Sequence, residues 1–134
     1  MAGMTGQSLS AQWIYSGGTV SLDTDYRQST YTPSVEMYDQ SAGADTNKTY
    51  ITGIKDGQYS WAGIYQSAGT VIASALAEGT QGTLIIGREG TAVGKPKETI
   101  PAIAQGAVIN VQYNNLIEIS CNFQQNGARV DGAF

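Results

Sequence analysis

The stretch "LIEISCNFQ" at residues 116–124 alternates between apolar and polar side chains, and this period of two is what most constrains the fold. The apolar positions are Ile117, Ile119, Cys121 and Phe123. The polar positions between them are Glu118, Ser120, Asn122 and Gln124. Such alternation is typical of a strand with one face in a core and the other face exposed. A chain that repeats this pattern must build a sheet and cover one of its faces.

Strand character recurs along most of the chain. Pro33 favours an edge position or an irregular start for its strand, because proline has no N–H to donate to a ladder. Lys55, Asp56 and Gly57 predict a turn within 50–66, and Gly106 predicts a break between two strands. The other strand-like segments are 11–15, 19–23, 30–38, 50–66, 82–87, 98–105 and 107–113.

One segment has a helical pattern instead. Apolar residues between 69 and 78 recur at helical spacing, and Gly79 follows as a stop signal. The fold class is therefore mainly β, with about seven or eight strands and one short α-helix. A β-sandwich or a barrel is the expected closure for such strands.

The domain organisation is simple. A chain of 134 residues is long enough for one hydrophobic core, which we place in a single β domain at 11–134. Residues 1–10 are small and polar, which predicts a flexible N-terminal arm. Residues 39–49 contain no large apolar side chain and predict a long polar loop.

The composition narrows the range of possible functions. Charged residues make up 13% of the chain, about half the usual share, so much of the surface can be buried against copies of itself at low desolvation cost. The net charge of −4 provides no basic surface for binding nucleic acid. The chain has no histidine and one cysteine, which excludes disulfide frameworks, Cys/His zinc sites and histidine-based triads. We therefore expect a protein that is not an enzyme and that uses no cofactor.

A glycine-rich segment, "GREGTAVGKP" at residues 87–96, superficially resembles a phosphate-binding loop. Counting back from Gly94-Lys95, the position of the first required glycine is Glu89. Pro96 stands where the motif needs a Ser or Thr. We interpret 87–97 as a long loop between strands.

Other candidate sites are weak. Asp23 and Asp25 are spaced like calcium ligands, but no further acids complete a loop motif. Tyr59, Trp61 and Tyr65 could stack on sugars, although their period of two favours a core stripe. No apolar run approaches the roughly 20 residues of a membrane span, and the N-terminus lacks signal-peptide features, so we expect synthesis in a cytoplasm and no membrane contact.

Three segments in order carry a family resemblance. "YITGIKDGQYSWAGIYQ" is followed by a short helix, then by "GTLIIGREGTAVGKPKETIPAIAQ", and finally by "LIEISCNFQQNGARVDGAF". This order resembles the tail tube, or major tail, proteins of long-tailed bacteriophages, to which tube proteins of contractile injection systems are related. The resemblance covers about residues 30–134.

The resemblance implies a virion protein, made in the host cytoplasm, that forms homohexameric rings. The rings stack into the tail tube, through which genome DNA passes without specific binding. Strands of each subunit line the lumen as one closed sheet. Implied partners, besides the subunit itself, are the tape measure, tail terminator and tail tip proteins.

The resemblance also implies roles for particular residues. The family bridges successive rings with a long loop, which assigns the ring–ring interface to Asp39, Asp45, Asn47 and Lys48. The arm at 1–10 is a second candidate for that contact. Polar side chains opposite the apolar face of their strand are the expected lumen-facing residues, namely Glu118, Asn122 and Gln124.

Two other classes of protein remain open on the sequence. One is a capsid decoration protein or another virion surface module, which would form trimers or bind a capsid. The other is a small carbohydrate-binding β-sandwich, which would be monomeric and would use Trp61 and tyrosines on one face.

Overall fold

A computed structural model of the chain describes residue 3 and residues 5–24, 26–66 and 69–134. The chain is mainly β, as predicted, with a single short helix, α1 (Gly69–Ala75), and one turn of 3-10 helix (Gly6–Ser8) among these residues. The strands are β1 (Ser10–Tyr15), β2 (Gly18–Ser21), β3 (Tyr26–Asp39), β4 (Tyr50–Ile64), β5 (Gln81–Gly87), β6 (Pro96–Asn110), β7 (Glu118–Gln125) and β8 (Val130–Ala133).

All strand pairs are antiparallel, in the order β2-β1-β5-β6-β7-β4-β3, with β8 paired to the start of β6. The strand β6 belongs to two half-sheets. Its residues 98–103 pair with β5, whereas residues 102–110 pair with β7. One half-sheet therefore contains β2, β1, β5, β8 and the start of β6, and the other contains β3, β4, β7 and the end of β6.

The two half-sheets pack face to face. The ring of Trp13 on β1 lies 4.9 Å from the ring of Phe123 on β7, although these strands are not neighbours in the sheet. Tyr59 on β4 also contacts Phe123, at 5.9 Å between ring centroids. This core includes Ile119, Cys121 and Phe123, which confirms the predicted inward face of 117–124 for these three residues, while Ile117 is half-buried outside the core.

The predicted break at Gly106 is wrong, because β6 runs unbroken from Pro96 to Asn110. Its register against β7 shifts between Ala104 and Ala107. Gly106 has φ of +105°, a conformation that favours glycine over other residues. The glycine therefore marks an irregularity where β6 passes from one half-sheet to the other, rather than a strand end.

The predicted turn at Lys55, Asp56 and Gly57 is also wrong, since β4 continues through all three residues. A Cβ on Gly57 would lie 2.9 Å from the hydroxyl of Tyr31 on the neighbouring strand. The glycine therefore coincides with a close approach of neighbouring side chains and not with a reversal of the chain.

The predicted loops and helix lie close to where the sequence places them. Loops connect β3 to β4 through residues 40–49 and β5 to β6 through residues 88–95. The helix is shorter than the predicted 69–78, and Gly79, with φ of +80°, forms the turn that leads into β5. The predicted arm at 1–10 lies partly outside the described residues, and its flexibility stays a prediction.

The single cysteine is part of the core. Cys121 is buried, and burial raises the pKa of its thiol to about 11. A thiol that stays protonated at neutral pH is a poor nucleophile. Cys121 therefore packs in the core as a small apolar side chain, as the sequence predicts.

Candidate self-assembly surfaces

The outer halves of β3 and β4 form a two-stranded ribbon that extends beyond the rest of the sheet. β7 covers β4 only from Gln58 to Ile64, while the pairing of β3 with β4 continues to Asp39 and Tyr50. We call residues 34–56 the ribbon. An isolated two-stranded ribbon is marginally stable in water, so a long one indicates a partner.

The ribbon exposes large apolar side chains. Ile54 is the most exposed of them, at 75% of its surface. A group of exposed apolar side chains of this kind favours a protein contact surface. Its members are Val35, Met37, Tyr38, Tyr50, Ile51 and Ile54.

The loop at the tip of the ribbon is held by its own hydrogen bonds. The carboxylate of Asp39 accepts from the N–H of Ser41 at 2.8 Å, and this bond lowers the pKa of Asp39. The carboxylate of Asp45 accepts from the N–H of Ala42 at 2.7 Å. Asp39 and Asp45 thus shape the loop, while the remaining predicted interface residues, Asn47 and Lys48, are exposed beside them. All four predicted residues lie at this tip.

A second exposed apolar patch lies at the opposite end of the same half-sheet, around the connection from β6 to β7. Tyr113 is 99% exposed there. The sequence gives little sign of this patch, because only residues 107–109 of "AVINVQY" are apolar at successive positions and Ile109, Val111 and Tyr113 then alternate with polar residues as in a half-buried strand. The members of the patch, which we call the β6–β7 patch, are Val108, Ile109, Val111, Tyr113 and Leu116.

The outer face of the half-sheet is mainly polar, although Ile64, Ile103 and Val108 lie on it opposite polar residues of β7. Alternation along β7 places Glu118, Asn122 and Gln124 on this face, opposite the buried Cys121 and Phe123. The three predicted lumen-facing residues therefore share one surface. Neighbouring strands add further uncharged residues to it, namely Gln28, Thr30, Thr32, Gln58, Ser60 and Ala62.

Both margins of this half-sheet are open among the described residues. β3 pairs only with β4, so its other edge has no strand partner, which agrees with the edge position predicted from Pro33. On the far side, residues 107–110 of β6 pair with β7 alone. Open edges present unpaired N–H and C=O groups that favour pairing with another chain.

The glycine-rich loop has few free backbone N–H groups with which to bind an anion. The N–H of Gly94 donates to the carbonyl of Phe134 at 2.9 Å, and the N–H of Lys95 donates to the carbonyl of Ala92 at 3.0 Å. The N–H of Gly90 donates to Gly87 at 3.1 Å. These amides already have partners within the chain, whereas a phosphate-binding loop must direct free N–H groups at its ligand.

We expect no nucleotide binding at this loop. Titration of the protein with ATP and magnesium in a calorimeter should give only the heat of dilution, and Lys95→Ala should behave identically. Micromolar binding that disappears in Lys95→Ala would contradict this expectation.

The other candidate sites do not assemble into a binding surface. Tyr59 and Trp61 are buried in the core, where the indole N–H of Trp61 donates to the carbonyl of Leu22 at 2.6 Å, so neither ring faces a sugar. Asp23 accepts hydrogen bonds from Ser21 and from the N–H of Ala11, and Asp25 lies outside the described residues. Across the part of the chain that the structure describes, no group of His, Cys, Asp and Glu side chains could hold a metal, and no helix could span a membrane.

Comparisons with known proteins agree on the fold. No protein-family model and no curated protein sequence matches the chain. A chain from the C6-symmetric tail of an empty gene transfer agent particle is similar in structure, with a TM-score of 0.77 and 13% identity over 98% of this chain and 100% of that one. A chain of the SPP1 tail tube has a TM-score of 0.73 and 10% identity over 98% of this chain and 80% of that one.

A third similar structure comes from the six-fold symmetrised baseplate of the anti-feeding prophage, with a TM-score of 0.64 and 7% identity over 97% of each chain. The similarity in each case spans nearly the whole of this chain and therefore includes the ribbon and both half-sheets. The chain thus has the fold of phage tail tube structures, to which the sequence resemblance points.

Proposed function

We propose that this protein is the structural subunit of a virion tail tube, in which homohexameric rings stack around a lumen that conducts genome DNA. The observation that carries the proposal is the full-length similarity to chains of a C6-symmetric tail and of a tail tube. The polar, sparsely charged surface and the two open sheet edges support it independently.

Neighbouring subunits in a ring join through their open edges. The half-sheet has the order β6-β7-β4-β3 with antiparallel neighbours throughout, so β3 and the end of β6 run in opposite directions. Rotation about a ring axis therefore places β3 of one subunit antiparallel to β6 of the next. Closing the sheet in this way removes every open edge from the inner wall.

Successive rings join through the ribbon. Its tip carries Asp39, Asp45, Asn47 and Lys48, and its stem exposes apolar side chains that a neighbouring ring would cover. The β6–β7 patch lies at the opposite end of the half-sheet and would meet the ring on the other side. Contacts between two different surfaces of one subunit do not close, so they extend into a filament. The arm at 1–10 is a second element for the same contact.

The outer face of the half-sheet lines the lumen. Glu118, Asn122 and Gln124 then project toward the DNA, and a wall without excess positive charge does not hold a polyanion by counterion release. The protein acts without catalysis or cofactor. Its location is the virion tail, after synthesis in the host cytoplasm, and its further partners are the tape measure, tail terminator and tail tip proteins.

Electron microscopy of the concentrated protein tests the proposal. We expect six-fold rings or tubes with a central hole, and light scattering that rises with protein concentration. A species that stays strictly monomeric at high concentration, together with virions that lack this chain in their tails, would contradict the proposed function.

A further inference from the structure

One ion pair lies on the polar outer face of the half-sheet. The guanidinium of Arg27, at the start of β3, approaches the carboxylate of Glu118, at the start of β7, to 3.6 Å between Nη1 and Oε1. Both side chains are about half exposed. Glu118 lies on the outer face because the next residue, Ile119, is buried on the inner one.

The centre of the same face is uncharged. The first row of residues across the three strands contains Thr32, Gln58 and Gln124. The last row contains Gln28, Ala62 and Ser120. The charges lie at its two ends, with Arg27 and Glu118 at one end and Asp56 at the other.

The polar groups of this face bond to one another. The Ser60 hydroxyl donates to the Asn122 side-chain oxygen at 2.9 Å, and the Gln58 amide donates to the Gln124 oxygen at 3.3 Å. The Gln124 amide donates to the Asp56 carboxylate at 2.7 Å. Donors that already have acceptors gain little by bonding to a passing phosphate, because any new bond replaces an existing one.

Arg27 is therefore the group on this face best able to hold a polyanion. Arginine binds phosphate oxygens in a bidentate manner and stays charged at any physiological pH. In a ring, its effect would be repeated by every subunit around the lumen. The adjacent carboxylate of Glu118 supplies an equal and opposite charge to each copy.

We propose that Glu118 masks Arg27, so that duplex nucleic acid moves along this face without being retained; this inference rests on the proposed tube function. Glu118 acts here by neutralising a neighbouring cation rather than by repelling DNA over a distance. Screening at physiological salt limits the reach of an exposed charge to about 8 Å, which favours the local effect.

The test uses assembled tubes and a short labelled DNA duplex. Glu118→Gln removes the masking charge and preserves side-chain size, so we expect retention of the duplex to rise about tenfold or more at low salt and to fall steeply as salt is added. The double variant Arg27→Gln/Glu118→Gln should return to the wild-type level, because it has neither charge.

A matched control is available in a second ion pair. Arg129 and Asp131 lie 3.1 Å apart, and Arg129 stacks on the ring of Tyr31, which belongs to the core-facing side of β3. Asp131→Asn releases an arginine and changes the net charge by the same amount as Glu118→Gln, but away from the outer face. We expect tubes of Asp131→Asn to retain no more DNA than the wild type.

The possible negative results distinguish a failure of the proposed function from a failure of the masking role. Wild-type protein that forms no tubes overturns the proposed function and this inference with it. Tubes in which Glu118→Gln leaves retention unchanged, or raises it no more than Asp131→Asn does, overturn the masking role alone. Retention that persists in the double variant would show that a group other than Arg27 binds the duplex, and would likewise refute it.

Discussion

Deletion of residues 42–47 is expected to abolish tube elongation while leaving the subunit folded. The described hydrogen bonds of this loop run to the loop itself or to the ends of β3 and β4, as in the bonds from Ala42 to Asp45 and from Gln40 to Thr49. No core residue lies within it. The free energy of unfolding should therefore change little, whereas the tip that reaches the next ring is lost. Electron microscopy and thermal unfolding measure the two effects separately.

A variant whose loop has the same length but different side chains shows whether tube elongation depends on the length of the loop or on its side chains. Replacing residues 42–47 with glycine and serine keeps the chain length but removes the carboxylate of Asp45 and the amide of Asn47. If the tip acts through these side chains, this variant should also fail to elongate. Normal tubes from the deletion variant would mean that the loop is a passive surface feature, and the assignment of the ring–ring interface to it would be wrong.

Phe123→Ala is expected to remove a large part of the stability of the fold. Phe123 is fully buried and contacts both Trp13 and Tyr59, so it joins the two half-sheets. Truncation of a buried phenylalanine costs about 3–5 kcal/mol, against a total of about 5–15 kcal/mol for a typical domain. Urea unfolding followed by tryptophan fluorescence measures the loss, because Trp13 lies against the altered site.

Tyr113→Ala provides the control for this measurement. Tyr113 is almost fully exposed, so its truncation should change the free energy of unfolding by less than about 0.5 kcal/mol. A loss below about 1 kcal/mol in Phe123→Ala would show that the half-sheets are held together elsewhere. The description of a shared aromatic core would then be incorrect.

Several features could be predicted from local pattern alone. Alternation along 117–124 determines which side chains are buried, because side chains of a strand point to opposite faces in turn. The polar run 39–49 and the glycine-rich run 87–97 identify the two long loops, since neither supplies apolar side chains at a regular period. The edge position of β3 agrees with one of the two alternatives that Pro33 indicates, because proline cannot donate to a second neighbour.

The candidate surfaces are harder to predict from local sequence pattern. Asn47, Lys48 and the other tip residues were found because the loop lacks apolar anchors, and Asn122 and Gln124 because they oppose a buried face. Their roles in ring contacts and in the lumen stay predictions. The β6–β7 patch was missed because a local apolar run is equally compatible with burial in the subunit's own core.

Local pattern in the sequence is enough to place most of the strands, to assign the inward face of 117–124, and to show that the residue types needed for histidine-based catalysis and Cys/His metal sites are absent; it does not show β8 or the unbroken course of β4 and β6. Only the tertiary structure shows which structural role the glycines at 57 and 106 have. A glycine signals an unusual backbone or a close approach in either case, and only the neighbours of Gly57 and the φ of Gly106 distinguish these from a turn. The ion pair between Arg27 and Glu118 is likewise visible only in the tertiary structure, because residues so far apart in the chain meet only when β3, β4 and β7 lie side by side.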